Sequence, residues 1–147
     1  MTLPGLEALL PHRAPMLLLD EVVRFDSESV TCRVTIRSDS MFAVDGQVPA
    51  WAALEYCAQS VAAFVGLRSH ASGEAPRLGM LIAARELSLS VDSFAPGDVL
   101  SIESKLQFGE ARVGRFECAV TREGSVVAKA TLSVYQPEDR HAGSEAS

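Results

Sequence analysis

One acid, Glu55, stands in the second turn of an otherwise apolar helical stretch, 49–68, which reads PAWAALEYCAQSVAAFVGLR. A carboxyl group can take or deliver a proton, and a helix this apolar must be wrapped by other structure. Burying an unpaired carboxylate is costly unless it is hydrogen-bonded or protonated, so this position is where acid or base chemistry would sit. Gln59, four residues on, shares the stripe of Glu55 and is a candidate substrate contact. Ala62, Ala63 and Gly66 continue the stripe with small residues, which predicts a narrow space beside the helix with a carboxyl and an amide at its head. Pro49 and Trp51, at the helix start, are the other candidate contacts. The plainer alternatives stand beside these. An acid near a helix N-terminus is favoured by the macrodipole alone, Pro49 suits a first helical turn, and Trp51 and Tyr56 serve equally as packing residues with a hydrogen-bonded polar tip.

The elements that must position this acid follow from hydrophobic period. Residues 6–10 form a short helix stopped by Pro11, and Pro15 forces an extended entry into a strand over 16–25. Val30, Cys32, Val34 and Ile36 alternate with polar residues as a half-buried strand does. An irregular loop, 38–48, leads into the long helix, and a polar connection, 69–76, leaves it. Residues 78–91 read as a long strand bent or bulged around Ala83 and Ala84. Pro96-Gly97-Asp98 is a turn, after which Leu100, Ile102, Leu106 and Phe108 face one way, and Phe116, Cys118 and Val120 repeat the pattern. Glu123-Gly124 turns the chain into a last strand, 126–135. One apolar helix followed by antiparallel strands predicts an α+β hotdog fold, a curved sheet of five or six strands around the helix, as a single domain over 1–135 with a disordered tail, 136–147.

Composition narrows the function. The chain has 147 residues, 48% of them hydrophobic, which suffices for one proper core. Its net charge of -6, without basic runs, argues against nucleic acid or an anionic membrane as partner. Cys32, Cys57 and Cys118 fall inside predicted elements without a CxxC pair, as expected of reduced, buried thiols; no metal and no cofactor are implied. The apolar run is interrupted by Glu55, Gln59 and Arg68, which argues against a membrane span, and a cytoplasmic protein without a signal peptide is expected. A mean hydropathy of +0.16 in so small a chain points to apolar surface covered by another subunit.

Residues 10–22, LPHRAPMLLLDEV, closely resemble the opening LPHRxPxLLxDxV of the bacterial 3-hydroxyacyl-acyl-carrier-protein dehydratases. Residues 49–59 are similar to that family's helix start, P-x5-E-x-x-A-Q, which sets Glu55 on its catalytic carboxylate, Ala58 on its small residue and Gln59 on its glutamine. Residues 91–98, VDSFAPGD, resemble its PV-x-PGD strand end, so the resemblance spans about 9–135. One departure is informative: Met41 occupies the place of the family's catalytic histidine, eight residues before Pro49. The variant pattern resembles the dehydratase-like subunit of aryl-polyene and related type II fatty acid or polyketide systems, where two hotdog proteins work together.

Dehydration removes a proton alpha to a thioester and expels a beta-hydroxyl, so it needs a base and an acid, and Glu55 supplies one role. The resemblance implies a composite site at a dimer interface, and hence a homodimer or a heterodimer with a hotdog paralogue that keeps the histidine. Its substrate would be a 3-hydroxyacyl thioester of acyl carrier protein or coenzyme A. His12 is the chain's own candidate for a replacement base, against a role anchoring the N-terminal turn; His70 and His141 lie in a connection and in the tail. Two other readings compete: a hotdog thioesterase in which Glu55 activates water, and a non-catalytic acyl-binding or scaffolding subunit. An acidic carrier would need a local basic patch, for which Arg13, Arg68 and Arg77 remain by elimination.

Overall fold

In a computed structural model the residues described are 5–10, 16–71, 73, 81–110 and 113–135. The elements run α1 (Leu6–Leu9), β1 (Glu21–Phe25), β2 (Ser29–Thr35), β3 (Val48–Pro49), a single 3-10 turn (Ala50–Ala52), α2 (Ala53–Ala71), β4 (Leu81–Leu89), β5 (Ser93–Phe94), β6 (Val99–Glu110), β7 (Val113–Arg122) and β8 (Ser125–Tyr135). Six strands form one antiparallel sheet in the order β1-β2-β6-β7-β8-β4, and β3 pairs with β5 as a separate two-stranded ladder. The sheet wraps α2, as expected of a hotdog fold.

Alternation builds the inner face of that sheet. Val30, Cys32 and Val34 of β2, Leu100, Ile102 and Ser104 of β6, and Phe116, Cys118 and Val120 of β7 are all buried. From the helix, Tyr56, Cys57, Ser60, Val61 and Phe64 are buried with them. The Phe64 ring meets Phe25 at 5.6 Å and Phe116 at 5.4 Å between centroids. Each such side chain contributes about 1.5–3 kcal/mol by leaving water. The 22-residue run 50–71 is long and apolar enough to cross a membrane by length and mean hydropathy alone, but 72% of its apolar window is buried inside the protein, so it is core. Glu123 and Gly124 both take positive φ, 51° and 80°, as a two-residue hairpin turn matched to strand twist requires.

Several expectations need correction. Residues 16–20 are irregular, with a bend at Met16, and are not part of the strand, which begins at Glu21. Pro49 lies in β3 and caps the 3-10 turn with an extended ψ of 143°, so it precedes the helix instead of starting it. The helix runs on to Ala71, which puts His70 in its last turn. Phe108 does not join Leu100 and Ile102 on the inner face: the register slips between Leu106 and Phe108, and Phe108 pairs with Arg115 and is exposed. One extra residue reverses every side chain beyond it. In β4 the slip falls between Ala84 and Glu86, where the small residues predicted it. The tail, 136–147, lies outside the described residues.

The two edges of the sheet differ. β1 is five residues long, irregular between Val22 and Arg24, and carries Glu21 and Arg24 in ion pairs with Arg33 and Glu103. β4 is nine residues long and leaves Ala83, Ala84 and Leu89 exposed.

Candidate active site

Glu55 sits in the first turn of α2, half-buried, where the 3-10 turn hands over to the helix. The deep burial expected from the apolar surroundings is therefore not observed: Glu55 lies on the outward side of a turn whose Ala53, Tyr56 and Cys57 are buried. One carboxylate oxygen, Oε1, accepts a hydrogen bond from Gln59 Nε2 at 3.3 Å.

Gln59 is only 1% exposed, and its amide is engaged on both sides by protein. Nε2 donates to the Met16 carbonyl at 2.7 Å, and Oε1 accepts from the Leu18 backbone N–H at 2.9 Å. Residues 16–18 are thereby strapped across the helix through a side chain, which is why they join no strand ladder. Neither Met16 nor Leu18 stood out in the sequence, because a bond to a side chain 41 or 43 residues away leaves no periodic trace. For Gln59 this arrangement places the amide against the strap and the acid.

Trp51, one turn before Glu55, is 53% exposed and touches Phe42 edge to face at 5.2 Å. Met41, Val44 and Met16 are exposed as well, so large apolar side chains stand in water at this end of the helix. Tyr56 points the other way into the core, where burial, with the Asp20 charge as a lesser cause, pushes its hydroxyl up to about 12.

The predicted space beside Ala62, Ala63 and Gly66 is filled at Gly66. A Cβ on that residue would lie 2.9 Å from the Leu9 carbonyl oxygen and 3.2 Å from Leu9 Cβ, so the small residue admits α1 instead of a ligand. His12, Arg13, Arg77 and His141 lie outside the described residues. His70 is exposed fifteen residues beyond Glu55, about 22 Å along a helix rising about 1.5 Å per residue.

The three thiols are free and buried. Burial pushes Cys32 up to about 11, and Cys57 is held well above its ordinary value by its hydrogen bond to Cys118 and by burial. The same bond lowers Cys118, but all three thiols are enclosed in the core, which leaves them unsuited to act as nucleophiles. Ser104 Oγ lies 3.0 Å from Ser60 Oγ and 3.2 Å from Cys118 Sγ, which completes a small polar seam between helix and sheet. On the outer face of the sheet an open groove of about 370 Å³, lined by Lys105, Glu117, Ala119 and Lys129 among others, looks away from the helix.

What the site offers is thus one positioned carboxyl group beside a strap and exposed apolar side chains, able to exchange a proton with a bound molecule. The family model of the ApeP-like proteins, described as ApeP dehydratase, matches residues 4–144. The chain belongs to the ApeP-like dehydratase family. A chain of the dehydratase heterocomplex ApeI:P from Xenorhabdus doucetiae is 30% identical, with a TM-score of 0.88 over 98% of each chain. The fold is shared more widely. A Helicobacter felis protein matches with a TM-score of 0.69 at 14% identity, over 95% of this chain and 94% of its own. A hypothetical thioesterase from Streptococcus pneumoniae, solved with coenzyme A, matches with a TM-score of 0.58 at 17% identity, over 79% of this chain and 86% of its own. At such identities the likeness concerns the fold.

Proposed function

We propose that this ApeP-like chain is the acid-bearing half of a two-protein dehydratase, which converts 3-hydroxyacyl thioesters on an acyl carrier protein to trans-2-enoyl thioesters. The observation that carries the reading is a half-exposed Glu55, with one oxygen held by Gln59, in a chain with Met41 where the resembling family has its histidine. Elimination takes a proton from the carbon alpha to the thioester, forms the carbon–carbon double bond, and breaks the bond to the beta-hydroxyl, which leaves as water after gaining a proton. Glu55 supplies the proton to the leaving hydroxyl or hydrogen-bonds it, and a histidine of a hotdog paralogue takes the alpha proton.

Two features support a partner. Among the described residues β4 is an edge of nine residues with no strand on its outer side and with exposed apolar side chains, the surface on which another strand adds. Trp51, four residues before the acid and against Phe42, leaves apolar surface open, as do Met41 and Val44 in the loop that carries Phe42. The Xenorhabdus relative is itself part of a heterocomplex.

The test measures enoyl thioester formation from a 3-hydroxyacyl carrier protein, with the chain alone and with a copurified hotdog partner. Glu55→Gln is expected to keep the fold and lower the rate of the pair by about two to four orders of magnitude, as for loss of a general acid. His12→Ala is expected to leave that rate intact. Undiminished turnover in Glu55→Gln would overturn the assignment, and release of free carrier thiol from simple acyl thioesters would replace elimination with hydrolysis.

A further inference from the structure

Gln59 makes three hydrogen bonds that converge on the acid. An N–H can only point to an oxygen, so the Leu18 N–H bond fixes which end of the amide is which and directs both Nε2 hydrogens towards Met16 O and Glu55 Oε1. The two partners are unequal: the carbonyl lies at 2.7 Å and the carboxylate at 3.3 Å. The strap therefore fixes the amide, and the amide then presents its second hydrogen to the acid. Glu55 Oε2 has no partner among the described residues.

We propose that Gln59 is a positioning residue of this site: anchored by the Met16–Leu18 strap, it holds Glu55 by Oε1 so that Oε2 is left for the substrate. This rests on Glu55 being the reacting acid. A Glu side chain on a half-exposed helix end has three freely turning bonds, and an oxygen displaced by about 1 Å can cost on the order of a hundredfold in rate. The same amide ties the acid to residues 16–18, so a substrate that presses on the strap acts on the acid through one side chain.

The experiment uses the full chain with its copurified partner and an N-acetylcysteamine thioester of a 3-hydroxyacid as probe. Gln59→Met keeps length without donors, and Gln59→Glu keeps shape but cannot donate to Met16 O or to Glu55. Both are expected to lower kcat by about tenfold to a hundredfold with KM within about twofold, well below the Tm of either variant. The double variant Glu55→Gln, Gln59→Met is expected to be no slower than Glu55→Gln, because a residue acting through the acid has nothing left to position. Amide exchange at Leu18 is expected to rise in Gln59→Met. Unchanged kcat in both single variants of Gln59, or losses that add to that of Glu55→Gln, would reduce Gln59 to a fastener of the strap and overturn the inference. A fully active Glu55→Gln is a different outcome: it removes the acid itself, and the inference falls with it.

Discussion

The two halves of helix α2 are built to opposite ends. Ala62, Ala63 and Gly66 are buried, and at Gly66 the backbone of α1 comes so near that a Cβ would crowd it. Around Trp51 and Glu55 the same helix leaves a large aromatic ring in water and a carboxyl group half-open. Both halves bury their inward side, Ala53, Tyr56 and Cys57 as fully as Ala63 and Phe64, but at the end where the acid stands the outward side carries a carboxyl group and a large aromatic ring. A surface left unfinished beside a reactive group is where function takes precedence over stability.

Substitutions in the two halves should therefore separate stability from activity. The largest effect on stability is expected at Gly66. Gly66→Val forces branched carbon into the Leu9 backbone and should cost about 2–3 kcal/mol by overpacking, read as a fall in Tm or in the urea midpoint. Gly66→Ala is a finer test, because Ala gains about 0.5–1 kcal/mol of helix propensity against the clash; a net loss is expected, and a net gain would show that α1 moves aside freely. Next comes the seam under the middle of the helix. Ser104→Ala withdraws a partner from Ser60 and Cys118 and should cost about 1–2 kcal/mol, while the activity of the surviving fold stays unchanged. The smallest change in stability is expected at Trp51, where Trp51→Ala loses one exposed edge contact worth about 1 kcal/mol or less. Partner association, measured by light scattering of the mixture, should suffer more there than Tm does. If Trp51→Ala instead unfolds the chain, the contrast between the halves is wrong.

Much of this arrangement was legible in the sequence, for a physical reason. Periods of two and of 3.6 are local, so the helix, the strands of the sheet and the Glu123-Gly124 turn could be read from neighbouring residues, and Glu55 stood out because its surroundings were apolar. What escaped depended on distant partners. Residues 16–18 had the composition of a strand, yet their backbone bonds go to Gln59, and nothing near them in sequence says so. The stripe at Ala62, Ala63 and Gly66 read as empty space because Leu9, which fills it at Gly66, comes from another element. Phe108 continues the inner-face pattern in sequence because a bulge carries no hydrophobic signal of its own. The half-exposure of Glu55 was missed for a related reason: apolar neighbours in sequence reveal a buried helix, but not which of its sides the fold leaves open.

The open edge of β4 has a consequence for how the protein must be made. A strand edge of nine residues, unlike the short, charged edge at β1, is a template for any extended chain it meets, including unfolded copies of itself. Whatever pairs with it binds only the folded form and so raises folded-state stability by mass action, by about 2.7 kcal/mol when present at a hundred times its dissociation constant. Were a partner to cover this edge, chain made in surplus over that partner would be left with the template uncovered.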